Sequence, residues 1–175
     1  YIPGDVSGLV ATLESNVAAA QTMLNSEAVS TTEAKEGLDA AITSASAVLE
    51  AGSTDADELT AESEALIAAI ELGQKSIDLV AQLTTMVEDE VTKLEDGSYD
   101  EFMDLAEVEY YDLYDYVYEV YDEVEYDFET VADVQGRIDQ INLMRANMMQ
   151  IGLGMSDASN ENPVNVTSLI TNPSF

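Results

Sequence analysis

Apolar residues recur every three or four positions through most of this chain, which is the spacing of one face of an α-helix. Leu9, Leu13, Val17, Ala20 and Leu24 share such a face and predict a first helix over 5–25. Leu38, Ile42, Ala45 and Leu49 predict a second over 32–51, with Ser30 or Thr31 able to cap its start and Gly52 to end it. After the STDADE stretch, Thr54 or Asp55 can cap a third. Its apolar line runs Leu59, Leu66, Ile70, Ile77, Val80, Val87, Val91 and Leu94, and Gly73 is its expected bend. Unbroken to Asp96, it would span about 60 Å at the helical rise per residue. The prolines stand at positions 3, 163 and 173, so the interior lacks the strongest helix breaker.

Ser98-Tyr99-Asp100-Glu101 has capping-box spacing and predicts a fourth helix running to Phe128. Thr130 opens a fifth with Val134, Ile138, Ile141, Met144, Met148 and Ile151 inward, closed by Gly152 and Gly154. The segments LVATLESNVAAAQTML and LDAAITSASAVL form a weak internal repeat, as in bundled helical units that cannot bury their apolar faces alone. Short connections set neighbouring helices antiparallel. The expected fold is therefore all-α: an elongated antiparallel bundle of about five helices over 1–155. It can be subdivided into a three-helix unit over 5–96 and a helical hairpin over 98–152. A polar linker and a short β-prone tail then occupy 156–175.

Composition narrows the chemistry. The 175 residues include 36 acids but only Lys35, Lys75, Lys93, Arg137 and Arg145 as bases, a formal charge of −31. Nucleic acid and anionic membrane surfaces are disfavoured partners, because phosphate binding needs clustered cations. With neither Cys nor His in the sequence, thiol and imidazole nucleophiles, disulfides and the usual zinc sites are excluded. No run of about 18 apolar residues is present, so no membrane-inserted helix is expected. The opening YIPGDVSG carries no leader pattern. The acidity suits either high-salt adaptation or a secreted spacer kept from self-association.

The run Leu9–Leu72, centred on LDAAITSASAVLEAGSTDADELTAESEALIAAI, resembles the FIVAR-like helical modules of bacterial surface proteins. The tail VNVTSLITNPSF resembles the opening of a galactose-binding-like β-sandwich in secreted multidomain proteins of Bacteroidetes type. The resemblance implies antiparallel three-helix units, a secreted or cell-surface bacterial location, a glycan-associated context and neighbouring domains in the same polypeptide. It carries over no functional residue, and such modules usually hold more lysine than this chain does.

The segment YYDLYDYVYEVYDEVEYDF concentrates the tyrosines. On a helix, Leu113, Val117, Val120, Val124 and Phe128 fall on one stripe. Tyr110, Tyr111, Tyr114, Tyr118 and Tyr121 fall on an adjoining one, and Asp112, Asp115, Glu119, Asp122 and Glu123 lie opposite. One reading buries the rings at the core edge with hydroxyls reaching water. A second exposes them as a ligand-binding face for polysaccharide, and a third as a protein-contact face. Asp115 with Glu119, or Asp122 with Tyr126, sit at helical spacing and could coordinate calcium or serve as acid and base, which makes Asp115, Glu119 and Asp122 the candidate metal ligands. Asp55-Ala56-Asp57 begins a calcium-loop pattern and then departs from it. Asn165-Val166-Thr167 matches a glycosylation acceptor, and the methionines of LMRANMMQIGLGM suit a pliable core. The expectation is a non-catalytic spacer or binding module without a cofactor, contacting polysaccharide or another protein. The alternatives are a subunit of an extracellular assembly and a carboxylate-based glycan-active enzyme domain.

Overall fold

The structure is a computed structural model that describes residues 4–154. The β-prone tail and the glycosylation pattern lie outside the described residues. The protein is all-α, with six helices among the described residues: α1 Ser7–Asn25, α2 Thr32–Glu50, α3 Ala56–Glu95, α4 Asp100–Leu105, α5 Glu107–Glu123 and α6 Val131–Gly152. The chain divides into two compact units. The first holds the residues through Gln82 together with Val124–Gln135, and the second holds Leu83–Glu123 together with the residues from Gly136 onward.

In the first unit, α1, α2 and the start of α3 close on one apolar core. Leu13, Val17 and Ala20 meet Ala34, Leu38 and Ala45, and Leu59, Leu66 and Ala69 complete the cluster. The beginning of α1 (Val6, Val10) shares a cavity of about 480 Å³ with the end of α2 (Val48, Leu49) and the beginning of α3 (Leu59). At the far end, Met23 of α1 and Leu38 of α2 flank Gly73 of α3. Successive helices are therefore antiparallel, as their short connections require. The anticipated bend at Gly73 does not occur, because α3 is one helix of 40 residues. Gly73 is buried, and a Cβ there would stand 3.3 Å from Leu38 Cδ1 and collide with the Met23 side chain. Its role is close approach between helices. Asp55 caps α3 as expected, its Oδ1 accepting the N–H groups of Asp57 and Glu58 at 2.9 and 3.3 Å.

Capping departs from expectation at α2. Thr31 occupies the cap position, but its hydroxyl donates to Ser76 Oγ at 2.9 Å, and both side chains are fully buried. The first amides of α2 turn instead to the segment before α6. Thr32 N–H donates to the Phe128 carbonyl at 2.8 Å, and Glu33 N–H to that of Glu129 at 2.9 Å. Phe128 N–H donates in turn to the Ser30 carbonyl at 3.0 Å. Val131 N–H donates to Glu33 Oε2 at 3.1 Å, so two helix starts serve each other's unpaired amides. That pairing removes Phe128 from the helix predicted to reach it. The acids from Asp122 to Glu129 also crowd the negative end of α5 and favour termination at Glu123. Thr130 does open α6, through a reciprocal box in which Asp133 N–H donates to Thr130 Oγ1 and Thr130 N–H to Asp133 Oδ2.

In the second unit the predicted fourth helix is two. Phe102, Ala106, Tyr110, Leu113, Val117 and Val120 are all buried. The first two steps are four residues each, and each drifts about 40° from a straight stripe. The chain breaks at Ala106 (φ −145°, ψ 54°), which lets Phe102 and Tyr110 both reach the interior. The capping box expected at Ser98 is absent, since the Ser98 amide donates to Asp96 Oδ1 at 2.9 Å and Tyr99 becomes the cap residue without a capping bond. In α6, Ile138, Ile141 and Met148 are buried. Met144 is half-buried, and Ile151 is exposed rather than inward.

Candidate functional site: the tyrosine face of α5

The 3-4-3 spacing of Tyr110, Leu113, Val117 and Val120 turns one side of α5 into the core. Tyr110 is therefore part of that core, 5 % exposed, and is not available to a ligand as the stripe expectation had it. Burial raises its hydroxyl above the ordinary phenol range. One position further round, Tyr111, Tyr114 and Tyr121 are 46 %, 38 % and 42 % exposed. Tyr118 is half-buried between them.

These rings form a connected series. Tyr110 and Tyr111 meet edge to face at 5.1 Å, and Tyr114 and Tyr118 pack at 4.7 Å with planes 43° apart. Tyr118 is tethered, its hydroxyl donating to Glu95 Oε1 of α3 at 3.0 Å. Desolvation and that carboxylate push its pKa up to about 12. The series is thus anchored at Tyr110 and Tyr118 and presented at Tyr111 and Tyr114, with Tyr121 exposed further along the helix. Leu105 and Val108, 55 % and 67 % exposed, extend its apolar character toward α4.

Asp112, Asp115, Glu119 and Asp122 are exposed on the same helix. Asp115, Glu119 and Asp122 lie along the surface of one helix without an opposing element, and among the described residues no group of three or more acidic side chains is arranged to hold a metal ion. Glu123, expected on the solvent side, is half-buried. It accepts Arg137 of α6 at 2.6 Å. The same guanidinium donates to the Tyr116 hydroxyl at 3.2 Å and lies 5.6 Å from the Tyr116 ring centroid. The hydrogen bond to Tyr116 is the main reason Arg137 holds its proton even more firmly than usual.

The same unit holds a group that periodicity alone did not reveal. Glu90 of α3 is completely buried. Its Oε1 pairs with Arg145 of α6 and stands 3.5 Å from Lys93 Nζ, while its Oε2 accepts the Tyr99 hydroxyl at 2.7 Å. Lys93 also pairs with Asp89 at 2.6 Å, and Arg145 donates to Asn142 Oδ1 at 2.6 Å. Burial, followed by the bond to Glu90, drives Tyr99 well above the phenol range and keeps it a donor. Such satisfaction is what a buried carboxylate requires. The signal was present in sequence: Leu83, Val87, Glu90 and Leu94 keep 4-3-4 spacing, with an acid at a core phase.

The concavities of the first unit offer less chemistry. The aliphatic cavity at the start of α1 has Asp5 on its lining. The Ser7 amide, at 2.9 Å, holds that carboxylate below the usual range, a poor state for a proton donor. A shallow groove of about 490 Å³ runs past Ala18, Thr22, Met23 and Ile77. No described helix is long and apolar enough to cross a membrane. In comparisons with known proteins, this chain matches no family model, no curated protein and no solved structure.

Proposed function

We propose that the chain is a non-catalytic binding and spacing module of a secreted or cell-surface bacterial protein. The α1–α3 unit serves as a FIVAR-like scaffold, and the tyrosine face of α5 is the contact surface. The observation that carries this reading is the exposure of Tyr111, Tyr114 and Tyr121 along one helix whose neighbouring rings are fixed from behind. Aromatic side chains held in place bind with little loss of conformational freedom. The charge of −31 keeps copies apart. For that reason an assembly of identical subunits through this face is the weaker reading.

The test compares the intact chain with a Tyr111→Ala/Tyr121→Ala variant against a panel of soluble polysaccharides and of basic and neutral polypeptides. Binding lost in a variant that melts like the parent supports the contact surface. Undiminished binding places it elsewhere. Release of new reducing ends from any polysaccharide would overturn the non-catalytic part of the proposal.

A further inference from the structure

We propose that the occupant of the α5 face is a cationic polypeptide segment, an arginine-bearing helix with its guanidinium groups seven residues apart. This inference rests on the contact-surface reading above and names the chemistry of the partner.

The face carries a repeat. Tyr111 and Asp115 are four residues apart, as are Tyr118 and Asp122. Residues so spaced are neighbours on a helix surface. The second pair follows the first by two turns, about 10.5 Å along the axis. Arginines seven apart on a partner helix repeat at the same distance, so each could lie against a ring and bond to the carboxylate beside it.

The protein already makes one such contact internally. Arg137 lies 5.6 Å from the centre of the Tyr116 ring and bonds to Glu123 at 2.6 Å, both residues of α5. Among the described residues, no ion pair reaches Asp112, Asp115, Glu119 or Asp122 of the same helix. Neither Lys nor Arg occurs between Lys93 and Arg137, and Lys93, Arg137 and Arg145 are committed to Asp89, Glu123 and Glu90.

Other occupants fit less well. A second copy would set Asp112, Asp115, Glu119 and Asp122 against the same residues, and opposed like charges are costly. An anionic polymer meets the same repulsion. A flat polysaccharide stacks best on coplanar rings, whereas Tyr114 is turned 43° from Tyr118.

Fluorescence anisotropy with the full chain at physiological salt tests the proposal. One labelled alanine-based helical peptide carries arginine at every seventh position. A second has the same length and charge but irregular arginine spacing, which reads simple attraction to an acidic protein. The expected result is about tenfold tighter binding of the heptad peptide, from two ring contacts made together. Tyr111→Ala/Tyr118→Ala, which removes the ring of each pair, should remove that advantage. Asp115→Asn/Asp122→Asn should remove most of it, and Tyr111→Phe/Tyr118→Phe should keep it, because phenylalanine retains the ring face. Equal binding of both peptides, or an advantage that survives the alanine variant, overturns the proposal. A polysaccharide that binds and is lost in the alanine variant, with no heptad advantage, overturns the proposal while the contact-surface reading stands. Binding by neither class sinks both.

Discussion

The two units bury a polar residue on the same helix in opposite ways. Two heptads apart on α3, Ser76 and Glu90 both sit at core positions and are fully buried. Ser76 is answered by neutral groups, accepting the Thr31 hydroxyl at 2.9 Å and the Ser30 amide at 3.3 Å. Glu90 is answered by two cations and a phenol drawn from α3, the α3–α4 turn and α6. A hydroxyl pair costs little to desolvate and is nearly indifferent to its surroundings. A buried carboxylate is tolerated only while every partner stays in place. The first unit is thus a scaffold packed by leucine and alanine, and the second holds a buried ion-pair network.

The largest effects separate the two cores. Leu38→Ala should lower the stability of the first unit by about 3 kcal/mol through loss of apolar contact and a residual cavity. Arg145→Met should lower that of the second by about 3 kcal/mol, because Glu90 then keeps only Tyr99 and a distant Lys93. Native-state hydrogen exchange reads each unit by itself. The distinguishing outcome is rescue: Glu90→Leu/Arg145→Met/Tyr99→Phe should regain most of the loss, since it leaves neither a charge nor the Tyr99 hydroxyl stranded. A triple variant no better than Arg145→Met would show that the ion pair is not what holds this unit.

Smaller effects sharpen the comparison. Ser76→Ala leaves the Thr31 hydroxyl without its acceptor and should cost about 1–2 kcal/mol in a urea melt. Gly73→Ala gains about 1 kcal/mol of helix propensity but must displace Met23 and press on Leu38, for a net loss of about 1 kcal/mol. Alkaline pH should act on the second unit first. Tyr99 has a folded pKa raised above its ordinary value of 10.0. Its contribution is therefore complete below about pH 10 and is lost as pH climbs toward the folded value. Exchange protection in the second unit should fall above pH 10 while that of the α1–α3 core holds. The smallest effect is spectroscopic: phenolate absorbance should show Tyr118 ionising near pH 12, and Glu95→Gln should bring it down toward 10.

The helices of the first unit were legible because leucine and alanine repeat at one phase with Gly52 and Asp55 as punctuation. What escaped the reading depended on residues distant in sequence. Nothing near Thr31 announces that its hydroxyl is taken by Ser76, or that Phe128 supplies the carbonyl its helix start requires. Glu90 was hidden by the convention that acids face water, although its phase matched Leu83, Val87 and Leu94. For the candidate site, periodicity found the helix and its tyrosines but merged two faces. Tyr110 belongs with Leu113 and Val117 at 3-4 spacing, while Tyr111 and Tyr114 stand one position round toward solvent. Tyr116, outside the expected stripe, packs with Arg137, a partner that no local pattern identifies.

The most direct test of the division between scaffold and contact face is an NMR spectrum of the tyrosine rings, recorded as the heptad arginine peptide is added to the intact chain. The account predicts that the ring signals of Tyr111, Tyr114, Tyr118 and Tyr121 move together, while those of Tyr99 and Tyr116 stay in place. Shifts confined to methyl groups of the α1–α3 core, or tyrosine signals that remain unmoved while the peptide binds, would contradict it.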